Sequence, residues 1–259
     1  MLTVLLTYLG VGSIAGVLAG LLGIGGGLVI VPMLVFCLTK QGVSQQAIMH
    51  IALGTSMASI IFTAVSSFWA HHKRGAVHWS VVRRIIPGIL VGTFFGSCVA
   101  SRMSTNFLKA FFVVFLYYVA FQMLSNKKPK PSRGFPGPVG MFGLGSTIGV
   151  VSILVGIGGG CLSVPFMMLR NLAVLLAIGT SAAIGFPIAI AGTVGYVLNG
   201  LHALNLPDPS LGYVYLPALA GIVGASVLTA PLGVRLAHSL PVDKLKRVFA
   251  VVLLAVGTR

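Results

Sequence analysis

Long apolar stretches separated by short polar ones set the pattern of this chain. No Asp, Glu, Lys or Arg occurs over residues 1–39, 41–72, 134–169, 171–207 or 209–234. A membrane-spanning helix takes ~20 predominantly apolar residues, so several of these runs hold two segments. A strand barrel would instead show short alternating segments. The pattern predicts an all-α, polytopic membrane protein with five hydrophobic segments in each half. In the first half they fall at about 2–22, 28–39, 47–70, 85–101 and 106–124, and in the second at about 137–155, 161–169, 173–199, 213–233 and 245–259. The second segment of each half is short. At ~1.5 Å per residue, a dozen helical residues cover about 18 Å of a ~30 Å hydrocarbon core. These two are expected as half-helices or re-entrant arms, giving 8–10 helical segments in all. The last segment is also short, and the chain is expected to stop before a full crossing.

Composition narrows the class. Apolar residues make up 57% of the chain and charged ones 7%, where a soluble domain runs near a quarter charged. A soluble enzyme, a disordered protein and a disulfide scaffold are excluded on that ground. The net charge of +15 is not a nucleic-acid footprint, because the basic residues are scattered between uncharged runs and not gathered on one face. The partners expected are the lipid bilayer and a small solute, not nucleic acid. A cleaved leader would need a basic start, and the first positive charge is Lys40. Cys37, Cys98 and Cys161 are an odd, scattered set within apolar stretches. They are expected to pack, and neither a metal site nor a cofactor is expected.

The two halves repeat. Gly23-Ile-Gly-Gly-Gly27 followed by Val31-Pro32 matches Gly156-Ile-Gly-Gly-Gly160 followed by Val164-Pro165 at a constant offset of 133. Gly54-Thr55-Ser56 recurs as Gly179-Thr180-Ser181, and residues 103–109 loosely resemble 240–246. The expected organisation is an N-terminal transmembrane repeat over 1–124, a basic linker over 125–135 and a C-terminal transmembrane repeat over 136–259. The linker follows from its clustered Pro and Lys, which suit neither a helix interior nor a bilayer.

Charge then orients the chain. With five segments per half, loop 71–84, the linker, Arg170 and loop 235–247 fall on one side and hold 13 of the 17 basic residues. The positive-inside rule makes that side cytoplasmic and the N-terminus external. Equivalent loops exchange character between the halves: basic 71–84 corresponds to 200–212, which has no Lys or Arg. An odd segment count with swapped charge is the pattern of an inverted-topology repeat.

Glycine clusters are costly inside a bilayer helix. Non-helical backbone is tolerated there when it is buried in protein or lines a water-filled cavity. The first helix should end near Leu22 and the next begin near Gly27, exposing free N–H groups at a helix N-terminus suited to an anion. With inverted halves, two such termini can face each other near the midplane. Gly25, Gly26, Gly27, Gly158, Gly159 and Gly160 are therefore the candidate substrate-binding positions, with Pro32 and Pro165 supporting the helix starts. Close helix packing by small residues is the alternative. Thr55, Ser56, Thr180 and Ser181 can donate to an oxyanion, or equally back-bond to their own helix carbonyl or bond to a neighbouring helix. His50 is one turn before the first of these motifs and suits a proton shuttle or a structural hydrogen bond. His71, His72 and His78 are expected in a cytoplasmic loop. Both acids, Asp208 and Asp243, fall in loops, so no carboxylate is available inside the membrane to bind Na⁺ or relay a proton. That deficit points to an anion.

The paired Gly-Ile-Gly-Gly-Gly…Val-Pro motifs at 23–32 and 156–165, the two Gly-Thr-Ser motifs, and the late Gly233-Val-Arg-Leu-Ala-His238 with Asp243-Lys-Leu-Lys-Arg-Val-Phe249 resemble the sulfite exporter TauE/SafE family of membrane permeases, over essentially the whole chain. The resemblance implies export of sulfite, a sulfonate or a related anion across a bacterial-type cytoplasmic membrane. Together the two readings predict a non-enzymatic transporter working by alternating access. The other classes are an anion channel, a non-transporting membrane subunit, and an intramembrane hydrolase pairing Ser56 with His50. The last has poor local geometry, since residues six apart are offset around a helix.

Overall fold

Uncharged runs fold as helices because a backbone removed from water must satisfy its polar groups internally. The computed structural model describes residues 2–124, 134–203, 206–239 and 250. In the first half, α1 spans Leu2–Leu22, α2 Gly27–Lys40, α3 Ile48–His72, α4 Trp79–Arg102 and α5 Thr105–Leu124. In the second, α6 spans Pro138–Val155, α7 Gly160–Leu169, α8 Val174–Gly200 and α9 Leu216–Ser239. A small antiparallel hairpin, β1 (Ser210–Leu211) and β2 (Val214–Tyr215), precedes α9. The helices α3, α4, α5, α6, α8 and α9 are long and apolar enough to cross a membrane, and three shorter apolar helices accompany them. Large apolar side chains face outward, among them Val139 at 86%, Leu228 at 76% and Phe121 at 73% exposure, as a lipid-facing surface requires.

Several expectations are refined. The helix expected at 85–101 starts at Trp79, so Arg83 and Arg84 lie in α4 and not in a loop. His71 and His72 close α3, and His71 is fully buried. The helix expected over 213–233 becomes a hairpin and then α9, which continues to Ser239. The hairpin had no clear sequence signal beyond Gly212, whose φ of +53° suits the first central position of a tight turn. The segment expected at 245–259 lies, apart from Ala250, outside the described residues.

The short helices are the unusual elements. The 14 residues of α2 and the 10 of α7 cover ~21 Å and ~15 Å at the ordinary helical rise. Each returns beside the helix that precedes it. The Gln41 side chain, just past α2, donates to the Tyr8 hydroxyl of α1 at 3.0 Å, and Arg170, just past α7, donates to the Gly134 carbonyl ahead of α6 at 3.0 Å. Pro32 and Pro165 both stand at the sixth position of their helix. That is beyond the four free N–H groups of a helix start, so each proline removes one ladder bond instead of sitting without cost.

Small residues bring the long helices together. α1 packs parallel to α9: a Cβ on Gly16 or Gly20 would run into the Ser226 or Ala230 carbonyl. α6 packs parallel to α4 in the same way: a Cβ on Gly92 would run into the Ser146 carbonyl, and one on Gly149 would come within 2.7 Å of that of Ile89. α3 and α8 lie against each other between these pairs. Enlarging Gly20 or Gly92 to Ala should therefore destabilise by about 1–3 kcal/mol through overpacking. The midpoint of thermal unfolding in detergent reads this. Gly10→Ala and Gly224→Ala, where an added Cβ meets open space, should not lower the midpoint and should raise it slightly through helix propensity.

Candidate functional site

The glycine segments 23–26 and 156–159 break the chain between α1 and α2 and between α6 and α7. Gly26 and Gly159 take the left-handed conformation, φ +79° and +77°, as the residues immediately preceding the new helices. A residue with a Cβ is strained there, which accounts for glycine at both positions. Both segments are fully buried, the setting in which irregular backbone survives at membrane depth.

The two segments meet. A Cβ on Gly27 would collide with the Gly156 carbonyl, and one on Gly160 with the Gly23 carbonyl, so the contacts are reciprocal. Gly25 and Gly158 face each other between them, and the Gly158 N–H donates to the Ile24 carbonyl at 3.2 Å. The amides of Gly27 and Leu28, and of Gly160 and Cys161, have no backbone acceptor among the described residues. First-turn amides are free in any helix, but here two sets are brought to one buried place with helix dipoles behind them.

The Gly-Thr-Ser motifs turn out to hold this crossing, and each of their three residues has its own part. A Cβ on Gly54 would come within 2.5 Å of the Tyr213 carbonyl, and one on Gly179 would meet that of Ala76, so each glycine admits a neighbouring loop. Two residues along those loops, the Tyr215 N–H donates to Thr55 Oγ1 and the His78 N–H to Thr180 Oγ1, both at 2.9 Å. Ser56 Oγ donates to the Gly156 carbonyl at 2.8 Å, and Ser181 Oγ to the Gly23 carbonyl at 3.0 Å. A hydroxyl has one proton, so the 2.8 Å bond between Ser163 and Ser181 is donated by Ser163. Each half thus secures the glycine segment of the other. The sequence offered these hydroxyls anion contact, back-bonding within their own helix or a bond to a neighbouring element; for the serines the structure has the last, with the partner carbonyl in the other half. Ser163 has no counterpart hydroxyl at Ile30 and carried no signal.

Ser56 and His50 are not brought together. The Ser56 hydroxyl is committed to Gly156, and His50 Nε2 lies 3.1 Å from the Ala100 carbonyl while its ring stacks on Tyr213 at 5.1 Å. Cys37 and Cys161 are buried free thiols and Cys98 is half-buried. Among the described residues no group of three His, Cys, Asp or Glu is placed to hold a metal.

A narrow cleft reaches the crossing from the side of Ser67. Its walls are Ala19, Gly23, Gly25, Ala64, Ser67, Ala182 and Gly185, and it has room for about one water. Gly185, Ala182 and Ser67 were not singled out from sequence. Ala182 and Gly185 stand three and six residues after Gly179. The equivalent residues after Gly54 are Met57 and Ile60, which are fully buried. The small pair lines open space on one side of the crossing, and the bulky pair fills the other.

A comparison with known proteins matches the description "Sulfite exporter TauE/SafE" over residues 8–259. A probable membrane transporter protein of Haemophilus influenzae is 40% identical over 258 residues, 99% of this chain and 98% of the relative. The probable membrane transporter protein YunE of Bacillus subtilis is 31% identical over 75% of this chain and 80% of its own. One from Methanocaldococcus jannaschii is 25% identical over 95% and 91%. No solved structure matches.

Removing either serine hydroxyl strands a buried carbonyl at the crossing. Ser56→Ala and Ser181→Ala should each cost about 1–3 kcal/mol. Chemical unfolding in mixed micelles checks this, and Ser181→Ala is expected to cost more than Ser56→Ala because it also strands the buried Ser163 hydroxyl.

Proposed function

The chain belongs to the sulfite exporter TauE/SafE family, and from that premise we propose that it carries a small sulfur oxyanion, such as sulfite or an organosulfonate, out of the cell by alternating access. The observation that carries this reading is the buried meeting of two glycine segments with free first-turn amides. Backbone dipoles can hold an anion without a fixed countercharge. Gly25, Gly26, Gly27, Gly159 and Gly160 supply the amides, and Gly158, whose N–H is held by the Ile24 carbonyl, lines the place between them. Thr55, Ser56, Thr180 and Ser181 act on the anion by fixing those segments, and Pro32 and Pro165, at the sixth position of each short helix, help fix its first turns.

Exchange of the halves supports an inverted repeat. The α1–α9 pairing becomes α6–α4, Ser56 on Gly156 becomes Ser181 on Gly23, and Thr55 with Tyr215 becomes Thr180 with His78. The α1–α2 and α6–α7 hairpins then enter from opposite faces as re-entrant arms. The basic side is taken as cytoplasmic and the N-terminus as external. One side of the crossing is lined by Ala182 and Gly185 and the other is filled by Met57 and Ile60, the asymmetry expected of a carrier in one of its two states. An open channel is disfavoured because the cleft is too narrow for the anion. Sulfite titrates near neutral pH, so a proton can ride on the substrate and supply the coupling that no intramembrane carboxylate provides.

Gly158→Ala separates binding from folding. Its φ is not left-handed, and an added Cβ meets its nearest atoms at 3.4, 3.5 and 3.6 Å, ordinary contacts. Saturable sulfite counterflow in proteoliposomes should fall about tenfold or more, because the added methyl lies beside Gly25 and Gly185 on the cleft wall and crowds the anion, while the unfolding midpoint stays put. Gly26→Val and Gly159→Val should abolish transport outright. Wild-type flux in Gly158→Ala would contradict the site. Sulfite flux indifferent to an imposed pH gradient would remove the proton from the scheme.

A further inference from the structure

One cluster of titratable groups lies outside the glycine crossing. His71 is fully buried in the last turn of α3, with Nε2 2.9 Å from the Gly20 carbonyl of α1. A carbonyl only accepts, so Nε2 carries the proton in the neutral ring. Nδ1 is buried and has no partner among the described residues. The His238 ring of α9 lies 5.7 Å away, centroid to centroid, and its Nε2 is likewise buried without a partner. Arg74 donates to the Val234 carbonyl at 3.4 Å, one turn before His238, and is within electrostatic reach of both rings.

Two unsatisfied imidazoles and a guanidinium thus face one another at one end of the molecule. α9 presents His238, the loop after α3 presents Arg74, and α1 presents only the Gly20 carbonyl. No carboxylate side chain appears among the described residues there; the two acidic residues of the chain are Asp208, in the loop after α8, and Asp243, outside the described residues. Arg74 would repel a metal cation. An oxyanion satisfies all three groups once the rings are protonated, because an imidazolium donates from both nitrogens. The cluster adjoins the cleft: Ser67 is one turn before His71, Ala19 precedes Gly20, and both line the cleft walls.

We propose that His71, Arg74 and His238 form an oxyanion site at the mouth of the cleft, where an anion is taken up together with a proton. The site rests on these three groups and stands apart from the assignment of the glycine crossing as a transport site.

The chain's two tryptophans report on it. Trp69 is two residues before His71, and Trp79 Nε1 donates to His72 Nδ1 at 3.2 Å. The full-length protein in neutral detergent is titrated with sulfate, which stays ionised across the pH range, at constant ionic strength and without chloride. The expected result is a saturable change in emission that tightens about thirtyfold from pH 7.5 to 6, the linkage for one proton taken up with each anion. His238→Gln and Arg74→Gln, checked as monodisperse, should weaken binding at least about tenfold, and His71→Asn likewise. The exposed His202→Gln should bind as wild type. Absence of a saturable change, or wild-type affinity in both His238→Gln and Arg74→Gln, would overturn the proposal. So would a tenfold gain in Asp243→Asn, which would mean that the chain's own carboxylate fills the site. A signal given by short-chain phosphatidylglycerol and not by sulfate would assign the site to a lipid headgroup and overturn the free-anion reading.

Discussion

The close approach of two glycine segments at the centre of the molecule is the constraint on which the other features depend. Gly27 against the Gly156 carbonyl and Gly160 against the Gly23 carbonyl leave no room for a side chain. With glycine there, two helices can start back to back inside the protein, and their free amides come to one buried place. Ser56 and Ser181 then fix the carbonyls that frame that place. The long helices are arranged to deliver these elements: α3 and α8 carry the serines, while α1 and α6 end at the glycines and are held by small-residue contacts to α9 and α4.

The physics of the interior favours an anion over a cation. The chain has 2 acidic residues and neither lies in a described helix. Backbone amides at helix N-termini are fixed partial positive charges that cost no desolvation of a buried ion, whereas an intramembrane Lys or Arg would. The reciprocal serine bonds give this arrangement two equivalent sets of restraints, one from each half. A carrier needs such equivalence, since its two states must be of similar energy for substrate to move between them.

Much of the fold was readable because membrane helices obey length and polarity rules. The ends of α1 and the start of α2 fell where Leu22 and Gly27 predicted them, and the short second segments appeared as short helices. Arg83 and Arg84 misled the start of α4, because long basic side chains reach water from a helix end and so do not mark its boundary. The hairpin at 210–215 was hidden because two-residue strands carry no periodicity. At the site, the glycines stood out by repetition. The serine roles did not, since a hydroxyl's partner here lies 100 or 158 residues away. His71 read as a loop residue because it adjoins Lys73 and Arg74, although it is buried.

The most direct measurement is to locate the anion itself. Selenite has the shape and charge of sulfite and scatters X-rays anomalously, so a difference map from crystals of the protein soaked with it would show its position. The account predicts a peak bounded by Gly25–Gly27 and Gly158–Gly160. A peak elsewhere in the membrane region, with those amides unoccupied in a protein that transports selenite, would contradict it.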